Sequence, residues 1–294
     1  MIVVTAPTGG IGSRVVRRLL DDGARVRVVA RDPARLTPDV VARAEVVAGS
    51  HADPAVVEAA CDGADAVFWL VPADPRAASP DEAYGGFARA AIAAFAAGRA
   101  GRVVGISGLG RGTAVAGRAG YITATLAMDD LIAATGVPYR ALTPPSFMDN
   151  TLRQVVPITT QGVLSGPYPP DVPLPLVATG DIAAVAARLL QDDTWRGYEE
   201  APVLGPEDLS YDAQAAIIAD VLGRPVAYRQ VSPEDFIAAR MSGGHSAAMA
   251  RGLLDMALAK ADGLDAGVVR TPATTGPTTF RQWCLEVLKP AASA

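Results

Sequence analysis

The stretch Ile2-Val3-Val4-Thr5-Ala6-Pro7-Thr8-Gly9-Gly10-Ile11-Gly12-Ser13-Arg14-Val15-Val16 constrains the fold more than any other part of the chain. An apolar run, a glycine-rich turn and an amphipathic segment follow one another, which predicts a buried strand, a tight turn and a helix. Such a unit aims the unpaired N–H groups and positive dipole end of the helix at one spot, where a phosphate can sit. Ala6 stands where a first glycine would complete a G-x-x-G-x-x-G spacing with Gly9 and Gly12. Gly9 lets the main chain approach a pyrophosphate, and Gly12 lets the helix press on the strand. Thr8 is placed to bond the turn backbone. Glycine spacing alone is weak support, and a tight turn without ligand is the alternative. The position between strand and helix favours a dinucleotide-binding turn made of Thr5, Ala6, Thr8, Gly9, Gly10, Ile11 and Gly12. A strand starting at Ile2 leaves no length ahead of it for a targeting peptide.

The 294 residues suffice for one domain with a long appendage or for two interleaved domains. Half are apolar and 19% are charged, the balance of a globular protein rather than a disordered one. The net charge of −5, with no basic run, argues against direct nucleic-acid binding. No apolar run is long enough to span a bilayer. Cys61 and Cys284 lie far apart and form no metal spacing; they read as packed thiols in a reducing cytoplasm. Only His51 and His245 supply imidazole, so a multi-histidine metal centre is excluded and no metal is expected. The only lysines are Lys260 and Lys289, so chemistry carried by earlier residues uses no ammonium from its own part of the chain.

Strand and helix signals alternate through the first half, as in a parallel sheet with crossover helices. Strands are expected at Ile2–Thr5, Arg25–Ala30, Ala44–Ala48, Ala66–Val71, Arg102–Ile106 and Tyr139–Leu142. Helices are expected at Gly10–Asp22, from Asp53-Pro54 toward Cys61, from Ser79-Pro80 through Ala97, and at Tyr121–Thr135. Asp53-Pro54 and Ser79-Pro80 are cap-and-proline starts. Residues 151–176, rich in proline and glycine, read as an irregular excursion over a ligand site. A helix capped by Asp181 and running to Leu190 then returns to the sheet. Further elements are a strand around Pro202–Leu204, a helix Tyr211–Leu222, a strand Val226–Gln230 and a helix begun by the Ser232/Asp235 capping box.

These residues resemble the NmrA-like members of the atypical short-chain dehydrogenase/reductase superfamily. The similarity rests on Thr5–Gly12, on Val29-Ala30-Arg31-Asp32-Pro33-Ala34, and on Gly63-Ala64-Asp65-Ala66-Val67-Phe68. It continues through Thr135-Gly136-Val137-Pro138-Tyr139, Pro144-Pro145-Ser146-Phe147-Met148-Asp149-Asn150, Gly205-Pro206-Glu207 and Leu222-Gly223-Arg224-Pro225-Val226. The resemblance implies an α/β fold: a doubly wound parallel Rossmann sheet with a smaller, interleaved C-terminal α+β substrate lobe. The expected division is 1–150 plus about 177–192 for the NAD(P)-binding domain, with 151–176 and 193–294 forming the lobe. The implied coenzyme is NADP, with NAD as the alternative. Arg31 stands where a carboxylate would grip a ribose diol; a guanidinium there pairs instead with a 2′-phosphate. Gly49-Ser50-His51 replaces the family's Gly-Asp-Leu, so adenine contacts pass to Ser50 or His51, with His51 as a surface loop residue the favoured reading. Leu70, Val71 and Pro72 pass under the nicotinamide ribose, and Pro144, Ser146 and Phe147 flank the nicotinamide. Tyr84, Phe147, Met148 and Asn150 are the expected substrate pocket.

Catalysis is where the chain departs from that pattern. Well-known members of the superfamily set a lysine four residues after a tyrosine, lowering the phenol pKa. Here Tyr121 is followed by Thr125, whose hydroxyl can bind ribose but cannot act as an ammonium. Tyr121 and Ser107 are the candidate catalytic residues; pocket lining and turn formation are their structural alternatives. Asp129-Asp130 and Glu199-Glu200 are adjacent pairs pointing different ways, not acid–base pairs. The expected function is an NADPH-dependent oxidoreductase passing hydride to a small apolar or quinone-like acceptor. The alternatives are a non-catalytic NAD(P)-binding redox sensor acting through a protein partner, and a redox-neutral biosynthetic enzyme on the same fold. The expected partner is a small-molecule substrate, without direct nucleic-acid or membrane binding, on a monomer or homodimer.

Overall fold

The computed structural model describes residues 1–293. Its strands are β1 Ile2–Thr5, β2 Val26–Ala30, β3 Glu45–Ala48, β4 Ala66–Trp69, β5 Val103–Ile106, β6 Tyr139–Thr143, β7 Ser146–Phe147, β8 Val163–Gly166, β9 Leu174–Val177, β10 Tyr198–Pro202, β11 Asp208–Leu209 and β12 Ala227–Gln230. The main helices are α1 Gly10–Asp21, α2 Pro38–Arg43, α3 Pro54–Cys61, α4 Phe87–Ala96, α5 Tyr121–Ala133, α6 Val155–Gln161, α7 Thr179–Gln191, α8 Tyr211–Leu222, α9 Pro233–Ser242 and α10 Ala247–Ala261. Seven strands form one sheet in the order β10-β6-β5-β4-β1-β2-β3, and every pairing in it is parallel. The strand order reverses between β1 and β4, which opens a crevice at their carboxyl ends.

Neighbouring residues of a strand face opposite sides, so a sheet covered on both faces needs apolar residues throughout. Val4 and Phe68 meet α1 and α7 through Val15, Val16, Leu19, Ile182 and Ala186. Val3, Val67 and Trp69 meet α3, α4 and α5 through Val57, Ala88, Ala91, Phe95, Met128 and Ile132. Each fully buried Val, Leu, Ile or Phe side chain contributes about 1.5–3 kcal/mol. The cap signals hold: Asp53 accepts from the Ala55 N–H, Ser79 from Glu82 and Ser232 from Asp235.

Three expectations need correction. Residues 151–176 are not irregular: they contain the end of a 3-10 turn, α6, β8 and most of β9. Their strands are too short to show an alternation. Pro175 is accommodated because the β9 pairings to β7 and β11 use different residues, so it meets a strand on one side only. Asp181 does not cap α7; that start has no side-chain cap, and the carboxylate instead accepts from the Thr278 N–H and hydroxyl at 3.1 and 2.9 Å. The strand expected near Pro202–Leu204 is Tyr198–Pro202, and it pairs with β6 as the seventh strand of the main sheet. Residues assigned to the lobe thus complete the nucleotide-type sheet.

The smaller lobe carries sheets β11-β9-β7 and β12-β8 around a core of Met148, Ile158, Leu164, Ile218, Phe280 and Trp283. From it, α9 and α10 reach back over the first domain. Gly120, at φ +52°, lies so close to α10 that an added Cβ would be 2.0 Å from the Gly252 carbonyl oxygen. Ser246 ties the start of α10 to the segment after β4, through Pro75 and Ala77 carbonyls at 2.9 and 2.7 Å.

Candidate functional site

The turn after β1 is built for close approach. Ala6 sits at φ +49°, the left-handed region where alanine costs roughly 1–2 kcal/mol. Its carbonyl accepts the Gly9 N–H at 3.1 Å and closes the turn. The three glycines have different duties. A Cβ on Gly12 would lie 2.2 Å from the Ala6 oxygen, so Gly12 is required by the helix–strand contact. A Cβ on Gly9 would meet only that oxygen at 3.4 Å, and one on Gly10 only the Arg14 guanidinium at 3.7 Å. Both are exposed, so packing within the chain does not demand glycine at either. Gly9 offers no side-chain cap and the first turn of α1 carries no acid. The N–H groups of Gly10, Ile11 and Gly12 therefore have no partner among the described residues, as an anion site requires. Thr8 is exposed, and its hydroxyl has no partner among the described residues, so the expected bond to the turn backbone is not formed.

Thr5 has a different task. Its hydroxyl donates to the Phe68 carbonyl at 3.0 Å and accepts from the Leu70 N–H at 2.9 Å, clipping β1 to β4 where the crevice opens. Leu70, Val71 and Pro72 leave the strand half-buried beside it. Arg31 ends β2 exposed, with no ion-pair partner among the described residues, while Asp32 turns to cap the Ala34 N–H at 3.1 Å. Ser50 accepts from the Ala52 N–H. His51 is not a surface residue. It is 4% exposed, bonds the Leu70 carbonyl through Nε2 at 3.0 Å, and packs edge-on against Trp69 and Phe87. Burial pushes its pKa down to about 4, the Leu70 bond opposes, and Arg31 adds to the fall. The imidazole is neutral and part of the floor of the crevice.

Tyr121 opens α5, half-buried, with its ring 5.9 Å from that of Tyr84. Burial raises its phenol to about 12, against the lowering fields of Arg240 and Arg153. No lysine assists: Lys260 is spent on Asp265 in a buried pair at 2.6 Å. The Thr125 hydroxyl, one turn on, bonds the Ile122 carbonyl at 2.9 Å. The Ser107 hydroxyl donates to Asp129 Oδ2, and Tyr139 donates to Oδ1 at 2.5 Å. Burial raises the Asp129 carboxyl to about 6 despite those two bonds. Asp130 points away to Arg111 at 2.8 Å, so the adjacent acids do diverge.

Pro144 is buried, and Ser146 and Phe147 form β7, half-buried at the junction with the lobe. Met148 is 1% exposed inside the lobe core, and Asn150 is exposed. Between them Asp149 bonds Thr179 Oγ1 at 2.8 Å and lies 3.6 Å from Arg14, joining the lobe to the first turns of α1 and α7. Loop hydrogen bonding was the favoured expectation for Asp149, but its partners Arg14 and Thr179, like the meeting of the Ser107 and Tyr139 hydroxyls on Asp129, lie 10 to 135 positions apart, beyond any local pattern. A surface depression of about 620 Å³ lies between the carboxyl ends of α1 and α7 among Arg18, Asp22, Arg188 and Gln191. It is at the amino edge of the sheet, away from the crevice, and is a gap between solvated helix ends.

Residues 7–193 match the family model described as NAD(P)H-binding. A (4-alkanoyl-5-oxo-2,5-dihydrofuran-3-yl)methyl phosphate reductase of Streptomyces griseus subsp. griseus is 35% identical over 290 residues, covering 97% of each chain. An NAD(P)H azoreductase of Xenophilus azovorans is 30% identical over 280 residues, 94% of this chain and 93% of its own. NmrA, a negative transcriptional regulator crystallised with NADP, superposes with a TM-score of 0.71 over 99% of this chain and 96% of its own at 17% identity, and so shares the fold. Among the described residues no cluster has the makings of a metal site and no helix is long and apolar enough to cross a membrane. The exposed glycine turn, the reversal of strand order behind it and this pattern of kinship agree: the chain belongs to the NAD(P)H-binding family, with the fold of the NmrA-like atypical short-chain reductases.

Proposed function

We propose that the protein is an NADPH-dependent reductase of small, electron-poor acceptors, quinone-like or conjugated. The observation that carries this is the pair Gly9 and Gly10, kept free of side chains where the fold itself has no use for the space. The Gly10, Ile11 and Gly12 N–H groups hold the diphosphate, and Arg31 takes the 2′-phosphate with a guanidinium no other group occupies. Leu70 to Pro72 and Pro144 to Phe147 flank the nicotinamide, which supplies the hydride when bound. The two relatives described above carry the names of reductases, of a conjugated furanone phosphate and of azo compounds. Acceptors of that kind take hydride with little acid help. That suits a Tyr121 held near 12 and a Ser107 hydroxyl already engaged with Asp129. The chain's contribution is then orientation and exclusion of water, with Tyr121 or solvent returning the proton.

The unassisted phenol is also what favours the second reading, a coenzyme-binding sensor without turnover. Mixing the protein with NADPH and a panel of quinones while following nicotinamide absorbance separates them. Acceptor-dependent oxidation is the expected result. Tight coenzyme binding with no oxidation across the panel would replace the reductase by the sensor.

A further inference from the structure

Arg240 is an anomaly of the lobe. Six arginines are not exposed: Arg14, Arg27, Arg102, Arg140, Arg240 and Arg270. Five of them donate to a carboxylate or a backbone carbonyl. Arg240 alone has no such partner among the described residues. Its guanidinium lies 4.7 Å over the Phe236 ring on α9, which fixes the plane of the fork and leaves its N–H groups free. The groups whose fields reach it are Arg153, Tyr168 and Tyr121, with no carboxylate among them. Arg153 stands on the 3-10 turn that follows Phe147, and that turn is locked to β8 by Gln154, which exchanges bonds with the Ser165 N–H and carbonyl at 2.8 and 2.9 Å. Two guanidiniums thus converge on Tyr121 from opposite elements of the lobe, without a counter-ion, in a chain of net charge −5. Arg240 is half-buried and Arg153 exposed, and like charges held near one another are unfavourable unless an anion lies between them.

We propose that Arg240 and Arg153 form an anion subsite beside Tyr121 that grips a phosphate monoester carried by the acceptor. The subsite rests on the reductase reading of the same crevice. It accounts for a forked donor on α9 and a second cation on the 3-10 turn after Phe147, in segments separate from Arg31 and the turn of α1. A dianion matches a guanidinium fork plus a second charge better than a neutral acceptor does. The lobe would thereby select its acceptor by charge, leaving the ring-shaped part of the acceptor to Tyr84, Tyr121 and Phe147.

The test uses protein saturated with NADP+, so that the coenzyme phosphate sites are filled. Phenyl phosphate is titrated by calorimetry into the wild type, Arg240→Met, Arg153→Gln and the double variant. Arg240→Met keeps an unbranched stem over Phe236. Charge-assisted bonds of this kind predict a loss of at least about tenfold in affinity for Arg240→Met and more for the double variant. In turnover, the kcat/KM ratio between a hydroxymethyl quinone phosphate and its free alcohol falls in the variants through KM. Wild-type protein that binds no phenyl phosphate, or a double variant that binds it equally well, overturns the subsite. Arginine-dependent binding without oxidation of NADPH by any acceptor would overturn the reductase and leave the subsite standing. Turnover indifferent to both arginines and to the phosphate would do the reverse.

Discussion

His51 shows how a single buried side chain sets a pH dependence. Its folded pKa, about 4, lies below the usual 6.5, so between these values the unfolded chain binds the extra proton. The stability it confers is complete above pH 6.5 and is lost as the pH falls toward 4, by up to about 3 kcal/mol. Asp129 works the other way: its folded pKa, about 6, lies above 3.8, so its ionisation weakens the fold as the pH rises through 6. Wild type and His51→Gln compared by urea unfolding from pH 7 to 4 separate the two. The stability gap between them should narrow or invert on the acid side; a gap constant with pH would contradict the neutral imidazole. Arg31→Ala should weaken NADPH by about 10- to 100-fold, the range of one charge-assisted pair, and NADH hardly at all. Equal losses in fluorescence titrations with both coenzymes would remove Arg31 from the 2′-phosphate. Gly9→Val should leave the melting temperature within a few degrees of wild type, since its Cβ has room, yet abolish coenzyme binding. Gly12→Val should fail to fold, because its Cβ would overlap the Ala6 carbonyl.

At the scale of elements, the contact of α5 with α10 sets where α10 lies against the first domain. Gly120 combines a positive φ with a backbone-to-backbone approach, so Gly120→Ala strains the turn and drives α10 outward. The expected cost is about 2 kcal/mol or more, with acceptor KM rising while NADPH affinity holds. Equal damage to both affinities would mean that α10 does not belong to the acceptor side. Local chemistry made most elements of the first domain readable. Asp53, Ser79 and Ser232 announce helix starts through a short side chain and a proline or acid at a fixed offset, and all three bonds are formed. Asp181, a short acid before an apolar run but with no proline or acid following, misled, because its carboxylate accepts from Thr278, 97 positions away. His51 misled likewise: a polar residue after a turn looks exposed unless the Trp69 and Phe87 rings that bury it are known.

For the whole molecule, the alternation of strands and helices was enough to expect a parallel sheet with crossover helices; its doubly wound order, with the reversal between β1 and β4, was expected from the family resemblance and is present. The interleaving was less legible. β10 rejoins the sheet after the chain has entered the lobe, and nothing in Tyr198–Pro202, with Glu199 and Glu200 exposed or half-buried, announces a seventh strand. The proposed acceptor side draws on Tyr84, Tyr121, Phe147, Arg153 and Arg240, which come from five separate segments, so no spacing in the sequence reveals it. Of the proposed coenzyme contacts, those from Thr5 to Gly12 lie on one contiguous turn and were legible for that reason, whereas Arg31, Leu70 to Pro72 and Pro144 to Phe147 rested on the family resemblance. Whether the backbone amides opening α1 hold a dinucleotide is settled most directly by calorimetry, titrating NADP+ into coenzyme-stripped wild type and Gly9→Val. One-site binding to the wild type, absent from a folded variant, is the predicted result; no heat from the wild type, or equal heat from both, would contradict it.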